Sequence, residues 1–402
     1  MRRLYIGVIT LLCICYLTES RAQLISAGNQ NLTALGNEQY KAYRPAIWVD
    51  IRVDESQRRR TSESPLDGRN SCGNISFDPA LVRACSDRGD FDVTFTGFSQ
   101  DAQIAFQFAL DIWSTALDLT VPIKIDALWT PLAPGVLGSA GATFIWELDD
   151  AITYPSALGD QLVGADIHTL PIWDPTDPWY DQPDMLASFN SDFSNWYFGL
   201  DGCPPGDQFD FVTVVMHEIG HGLGFFSSNR YFPPFTGIPE LNGTAFFEDV
   251  FCIGFGVPFI FDTFLVSGGI DLGITGCFFE RGILTDDMLT FNGPETVSCF
   301  GSAPNMFAPP FFMPGSSVSH FDEDRVTPGS INAMLTPFVA PGEAIHDPGC
   351  ALAVLRDLGY TTNPEIATCP IPTMQEWSII QLALVMLILT TTCMRTRIDS
   401  FV

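Results

Sequence analysis

Residues 91–98 (FDVTFTGF) alternate apolar and polar side chains, the period-two pattern of a strand with one buried face. The period then changes. Ala102, Ile104, Ala105, Phe106, Phe108, Ala109, Ile112 and Trp113 predict a helix over 101–117 with a broad buried face. Alternation returns over 121–129 (VPIKIDALW), and further strands are expected over 142–148, 162–170 and 185–190 (MLASFN). A second helix is expected within 209–226, with Phe211, Val212, Val214, Val215 and Met216 inward and Asp207 capping its start. A closing helix is expected over 350–360 (CALAVLRDLGY). Strand, helix, several strands, helix is the order of an α+β domain on a mixed, twisted sheet. Residues 226–315, rich in Phe, Pro and Gly, are too long and too apolar for one bare loop and predict a β-rich insertion.

Composition narrows the class. Of 402 residues, 46% are hydrophobic and 16% charged, which excludes a disordered chain. The net charge of -28 would repel phosphates, so no nucleic-acid partner is expected. The acid reads as a solvated surface. The alternative is bound structural Ca²⁺ at oxygen-rich loops such as 174–184, although no EF-hand loop is present.

Both ends carry membrane-related patterns. Arg2 and Arg3, an apolar run over 4–17, and small residues at Ser20 and Ala22 read as a signal peptide over 1–22, cut before Gln23. Residues 377–394 carry no charge and are long enough to cross a bilayer, and Arg395 and Arg397 follow. The expectation is an exported protein anchored in the cell envelope by a C-terminal transmembrane helix. A buried core helix is the alternative for that tail. Eleven cysteines suit an exported chain; Cys13, Cys15 and Cys393 fall in the terminal segments, leaving eight for disulfides. Cys72 is open to a disulfide or to capping a latent metal centre. Residues 23–85 read as an N-terminal extension or propeptide, and the basic run 58–60 as a solvated loop or a processing site. Ile371-Pro372-Thr373-Met374-Gln375-Glu376-Trp377, before the apolar run, resembles bacterial C-terminal sorting signals of the exosortase-associated type, which usually have Leu at the place of Met374. That resemblance implies a sorting enzyme as a partner acting on 371–402.

The chemistry concentrates in His217-Glu218-Ile219-Gly220-His221. On a helix, residues four apart share a face, so His217 and His221 can grip one Zn²⁺. Glu218, one step round, can take a proton from a water on that metal and act as general base. The chain has five histidines, so a chance pairing here is improbable. Gly224, three residues after His221, marks the exit from the helix. This stretch resembles the metzincin metallopeptidases, whose signature begins HExxHxxG. The compact members place a third ligand three residues later, where this chain has Ser227. The leishmanolysin branch takes it from far downstream, and Ser319-His320-Phe321-Asp322-Glu323 resembles that segment. The resemblance implies His320 as third ligand, with His346 and His168 as the other candidates. It also implies a methionine turn beneath the metal near Ala333-Met334-Leu335, in halves 86–225 and 316–370 around the insertion, with substrate extended along an edge strand, 162–170, near His168.

The expected function is a zinc-dependent endopeptidase acting on protein or peptide substrates. Two alternatives stay open: a surface adhesion protein on a peptidase-like fold, using aromatic residues of 279–313, and a zinc hydrolase of a non-peptide bond.

Overall fold

Five strands around one fully buried strand build a six-stranded sheet in the computed structural model. The structure describes residues 41–43, 49–53, 74–75, 89–149, 152–171, 173–176, 180–231, 249–252, 259–273, 279–280, 284–285, 287–323 and 325–363. The sheet comprises β1 (Val49–Val53), β2 (Phe91–Thr96), β3 (Ile123–Thr130), β4 (Val136–Ala142), β5 (Met185–Asn190) and β6 (Phe338–Val339), in the order β6-β1-β4-β5-β3-β2. β4 runs antiparallel to both neighbours, and every other adjacent pair is parallel. Helix α1 (Gln100–Ala116) makes the crossover that parallel β2 and β3 require. Its cap is Ser99, whose side chain accepts from Ala102 N–H.

Helix α2 (Ser156–Val163) precedes β5. Helix α3 (Phe211–Gly222) lies against β4, β5 and β1, beside α1. Trp113 Nε1–H donates to Met216 O at 3.1 Å and ties the two helices. Phe98, Phe106, Phe189, Phe211 and Trp129 meet edge to face between the helices and the sheet. Two short helices, α4 (Pro294–Phe300) and α5 (Ala351–Leu358), are joined by the Cys299–Cys350 disulfide. Within 226–315 lie two three-stranded sheets. One joins Asn229–Tyr231, Asp249–Cys252 and Phe279–Glu280; the other joins Leu265–Ser267, Ile270–Asp271 and Leu289–Phe291.

Several expectations change. Residues 162–170 are no strand. They hold the end of α2, a left-handed Gly164 (φ 72°) that stops it, and a 3-10 turn, Ile167–Thr169. Asp166 caps that turn by accepting from His168 N–H, so local hydrogen bonding overrides the apparent alternation. The strand expected over 142–148 divides between β4 and Ile145–Asp149 of a separate sheet. β4 (VLGSAGA) is buried along its whole length, so it has no alternation to read. The cap of α3 is Asp210, not Asp207.

The C-terminal membrane helix expected over 377–394 is not supported, and that segment lies outside the described residues. Among the described residues no helix is long and apolar enough to cross a membrane. The envelope anchoring expected from that helix is therefore without support, and what the structure shows is an α+β body with a mixed sheet. The signal peptide, Cys72, the basic run 58–60 and the sorting signal lie outside the described residues.

Candidate metal centre

Helix α3 places the first two histidines by its own period. Asp210 accepts from Thr213 N–H at 2.8 Å and Thr213 Oγ1–H at 2.7 Å, fixing where the helix starts. Its Oδ2 also meets His346 Nε2 at 2.8 Å, with both side chains fully buried. His346 is therefore committed to the base of α3 and takes no part in the centre. The helix ends at Gly222, and Gly224 adopts φ +122°. A Cβ there would lie 2.8 Å from Pro155 Cγ, so glycine alone fits this exit. The turn brings Phe225 O back to 2.6 Å from His221 Nδ1.

The third histidine comes from the loop before β6. Phe307 N–H donates to His320 O, and Phe321 N–H donates to Leu335 O, each at 2.8 Å. Two residues earlier Val318 is held at φ 71°, a strained conformation for a β-branched residue that its full burial maintains. Ser227, at the position of the compact third ligand, has another task. Its N–H donates to Ser319 Oγ at 3.0 Å and its hydroxyl donates to Asp262 at 2.6 Å, joining the exit of α3 to the His320 loop and to Asp262. Burial pushes the Asp262 carboxyl up to about 6, against the donated bonds of Ser227 and Ser228.

His217, His221 and His320 are brought together by their Nε2 atoms. The separations are 2.8 Å for His217–His221 and 3.1 Å for each of the other two pairs. Each Nδ1–H donates to a backbone carbonyl: Met334 O at 2.7 Å, Phe225 O at 2.6 Å and Ser316 O at 2.8 Å. That arrangement holds the proton on Nδ1 and turns the Nε2 lone pair inward. Burial pushes His217 and His221 well below the usual histidine range, reinforced by the neighbouring rings, and lowers His320 to about 3. Neutral rings are the ligand form. These three form the one group of potential metal ligands among the described residues. Met334 acts through its carbonyl on His217; its side chain is buried.

Glu218 is fully buried beside them. Burial, then the charge of Asp50, push its carboxyl well above the usual range, while the N–H groups of Ile51 and Ala140 favour the ionised form. Oε1 accepts from Ile51 N–H at 3.3 Å, and Oε2 has no hydrogen-bond partner. An ideal Cβ on Gly138 would fall 2.8 Å from Oε1, so β4 passes directly over this carboxyl.

His168 is elsewhere, packed against Phe144 and Trp146 at ring-centroid distances of 4.5 and 4.9 Å. The loop 174–184 also differs from a calcium site. Lys124 Nζ pairs with Asp166 at 2.7 Å and with Asp181, and Lys124 N–H donates to Asp184. Sequence reasoning missed β1, Gly138, Ser227 and Asp262. Only Ser227 had a signal, as the non-ligand at a ligand position.

A family model described as SPBPB7E8-like matches residues 150–233. That stretch holds α2, β5 and α3 with His217, Glu218 and His221, and stops short of His320. No curated protein and no solved structure matches the chain. The metzincin-like fold expected from the motif is therefore not shown.

Proposed function

We propose that the protein is a zinc-dependent endopeptidase, with His217, His221 and His320 as metal ligands and Glu218 as general base. One observation carries this reading: three fully buried imidazoles point their Nε2 lone pairs at one place with no donor between them. Such a set leaves acceptors unpaired in the protein interior unless a cation joins it. Zinc suits the donor set. Tetrahedral bonds of about 2.0–2.1 Å place ligand nitrogens about 3.3 Å apart, a few tenths of an ångström beyond the separations found. Three nitrogen ligands also leave a fourth position open, as catalytic rather than structural zinc sites do.

A bound zinc ion supplies Lewis acidity and a water acidic enough to deprotonate near neutral pH. Glu218 Oε2, buried and without a partner, accepts that proton and returns it to the leaving nitrogen. The carbonyls of Met334, Phe225 and Ser316 hold the rings in the tautomer this requires.

The test is zinc content and digestion together. The purified chain is expected to hold one zinc, to cleave casein or a peptide library, and to stop when chelated. Glu218→Gln should keep the zinc and lose at least about 10²-fold in kcat. Absence of stoichiometric metal, or full activity in Glu218→Gln, overturns the assignment. Zinc without peptide cleavage would leave the non-peptide hydrolase.

A further inference from the structure

The strand that covers the centre belongs to the chain's own N-terminal region. β1 lies between two rails: antiparallel to β4, with Val49 opposite Ala140 and Ile51 opposite Gly138, and parallel to β6, with Arg52 opposite Phe338. Asp50 N–H donates to Gly315 O at 2.8 Å, Arg52 N–H to Pro337 O at 3.0 Å and Val53 N–H to Gly135 O at 2.9 Å. The register slips between Ile51 and Arg52, and at that point the N–H of Ile51 turns to Glu218 Oε1. Arg52 is close enough for its charge to act on His320, and Asp50 on Glu218. Three successive residues thus lie across the centre, and His217, Glu218, His221 and His320 are all fully buried.

We infer that Val49–Val53 is a self-inhibitory strand lodged in the peptide channel of the metal centre, and that an extended peptide substrate takes its place between β4 and β6 only after it leaves. The inference rests on the endopeptidase reading and adds its regulation. A hydrolase needs its base and ligands to meet substrate, and here a backbone N–H of the same chain takes Oε1 of the base, where an extended peptide would have to lie. The rails pair with backbone, so any extended peptide of matching shape fits them. Losing β1 leaves β4-β5-β3-β2 as a continuous sheet with β4 at its edge, strips the two-residue β6 of its strand partner and withdraws Val49 and Ile51 from the core. The N-terminal region makes two further pairings of the same separable kind: Lys41–Tyr43 on Ile145–Glu147, and Asn74–Ile75 on Ile345–His346.

The test uses the full zinc-loaded chain with a site for a sequence-specific protease placed between residues 58 and 70. Binding of a dansylated peptidyl hydroxamate is followed before and after the cut. A tightening of at least ten-fold is expected, reversed by a synthetic peptide of residues 45–57. In the uncut chain Ile51→Pro, which removes the N–H given to Glu218, should raise hydroxamate binding at least ten-fold. In metal-free protein, diethyl pyrocarbonate should modify His320, read by mass spectrometry, at least ten-fold faster after the cut or in Ile51→Pro. Equal hydroxamate binding and equal modification before and after overturn the inference. So does loss of cooperative unfolding when the fragment leaves, which would make β1 part of the catalytic fold. Better hydroxamate access without peptide cleavage sinks the peptidase reading and spares the occlusion.

Discussion

At the three-histidine centre every Nδ1–H goes to a backbone carbonyl, so three lone pairs face each other with nothing to donate to them. Across β3, Asp160, Asp166, Asp181 and Asp184 gather round Lys124. Burial works against the lysine charge, and its bonds to Asp166 and Asp181 outweigh that and raise its pKa. Burial and then repulsion from Asp184 push Asp160 up to about 9, and burial pushes Asp184 up to about 7. Both clusters are rich in metal-ligating atoms, and Asp160 and Asp184 are as buried as the histidines, whereas Asp181 is exposed. One contains the Lys124 ammonium and carboxyls that stay protonated; in the other, neutral rings turn Nε2 atoms towards one another with no donor among them. Donor and acceptor bookkeeping, not the density of ligand-type residues, separates a candidate metal centre from a salt cluster.

The difference can be broken most forcefully through the metal. With zinc at about 100–1,000 times its Kd, chelation should lower the unfolding free energy by about 3–4 kcal/mol, measured by urea titration. His221→Ala should lose that dependence. Millimolar calcium should restore nothing, and restoration by calcium would put an ion in the acidic cluster after all.

The carboxyl cluster should instead respond to pH. In the unfolded chain Asp160 and Asp184 release their protons near 4, whereas the folded protein retains them up to about 7 to 9. The folded state binds more protons between those limits. The cluster's contribution is therefore fully present below about pH 4 and is lost as pH rises towards 9. Asp160→Asn should flatten that fall and raise stability at pH 8 by about 2–3 kcal/mol. A variant with unchanged pH dependence would show that these carboxyls ionise freely.

The smallest effect tests how the histidines are aimed. Gly224→Ala forces a side chain into φ +122° and against Pro155, at a cost of about 1–2 kcal/mol. The same shift should move Phe225 O from His221 and weaken zinc binding about ten-fold, measured by competition with a chromophoric chelator. The pH response of the Asp160 cluster should not change.

Much of this was legible in one dimension. β2, α1, β3, β5 and α5 stand within a few residues of where periodicity puts them, because each buries a face whose apolar side chains recur at the period of its element. β4 was not, because both its faces are covered and its small residues carry no period. Residues 162–170 misled because Asp166 and Gly164 satisfy the backbone locally while their neighbours imitate alternation. Of the site, His217, Glu218, His221, Gly224 and Met334 were named from spacing and resemblance. His320 was the third ligand that the resemblance implied, with His346 and His168 as alternatives; His346 is bonded to Asp210 and His168 is packed among aromatic rings.

The sequence by itself determined that His217 and His221 share a face, since four residues on a helix make little more than one turn and need no distant partner. It also determined where that helix must stop. Only the tertiary structure decided that an imidazole 99 residues further on joins the group, and that a strand from the N-terminal region lies over Glu218. Those contacts depend on which chain segments close on one another, and backbone pairing between strands is nearly blind to side-chain identity. No local pattern could record them.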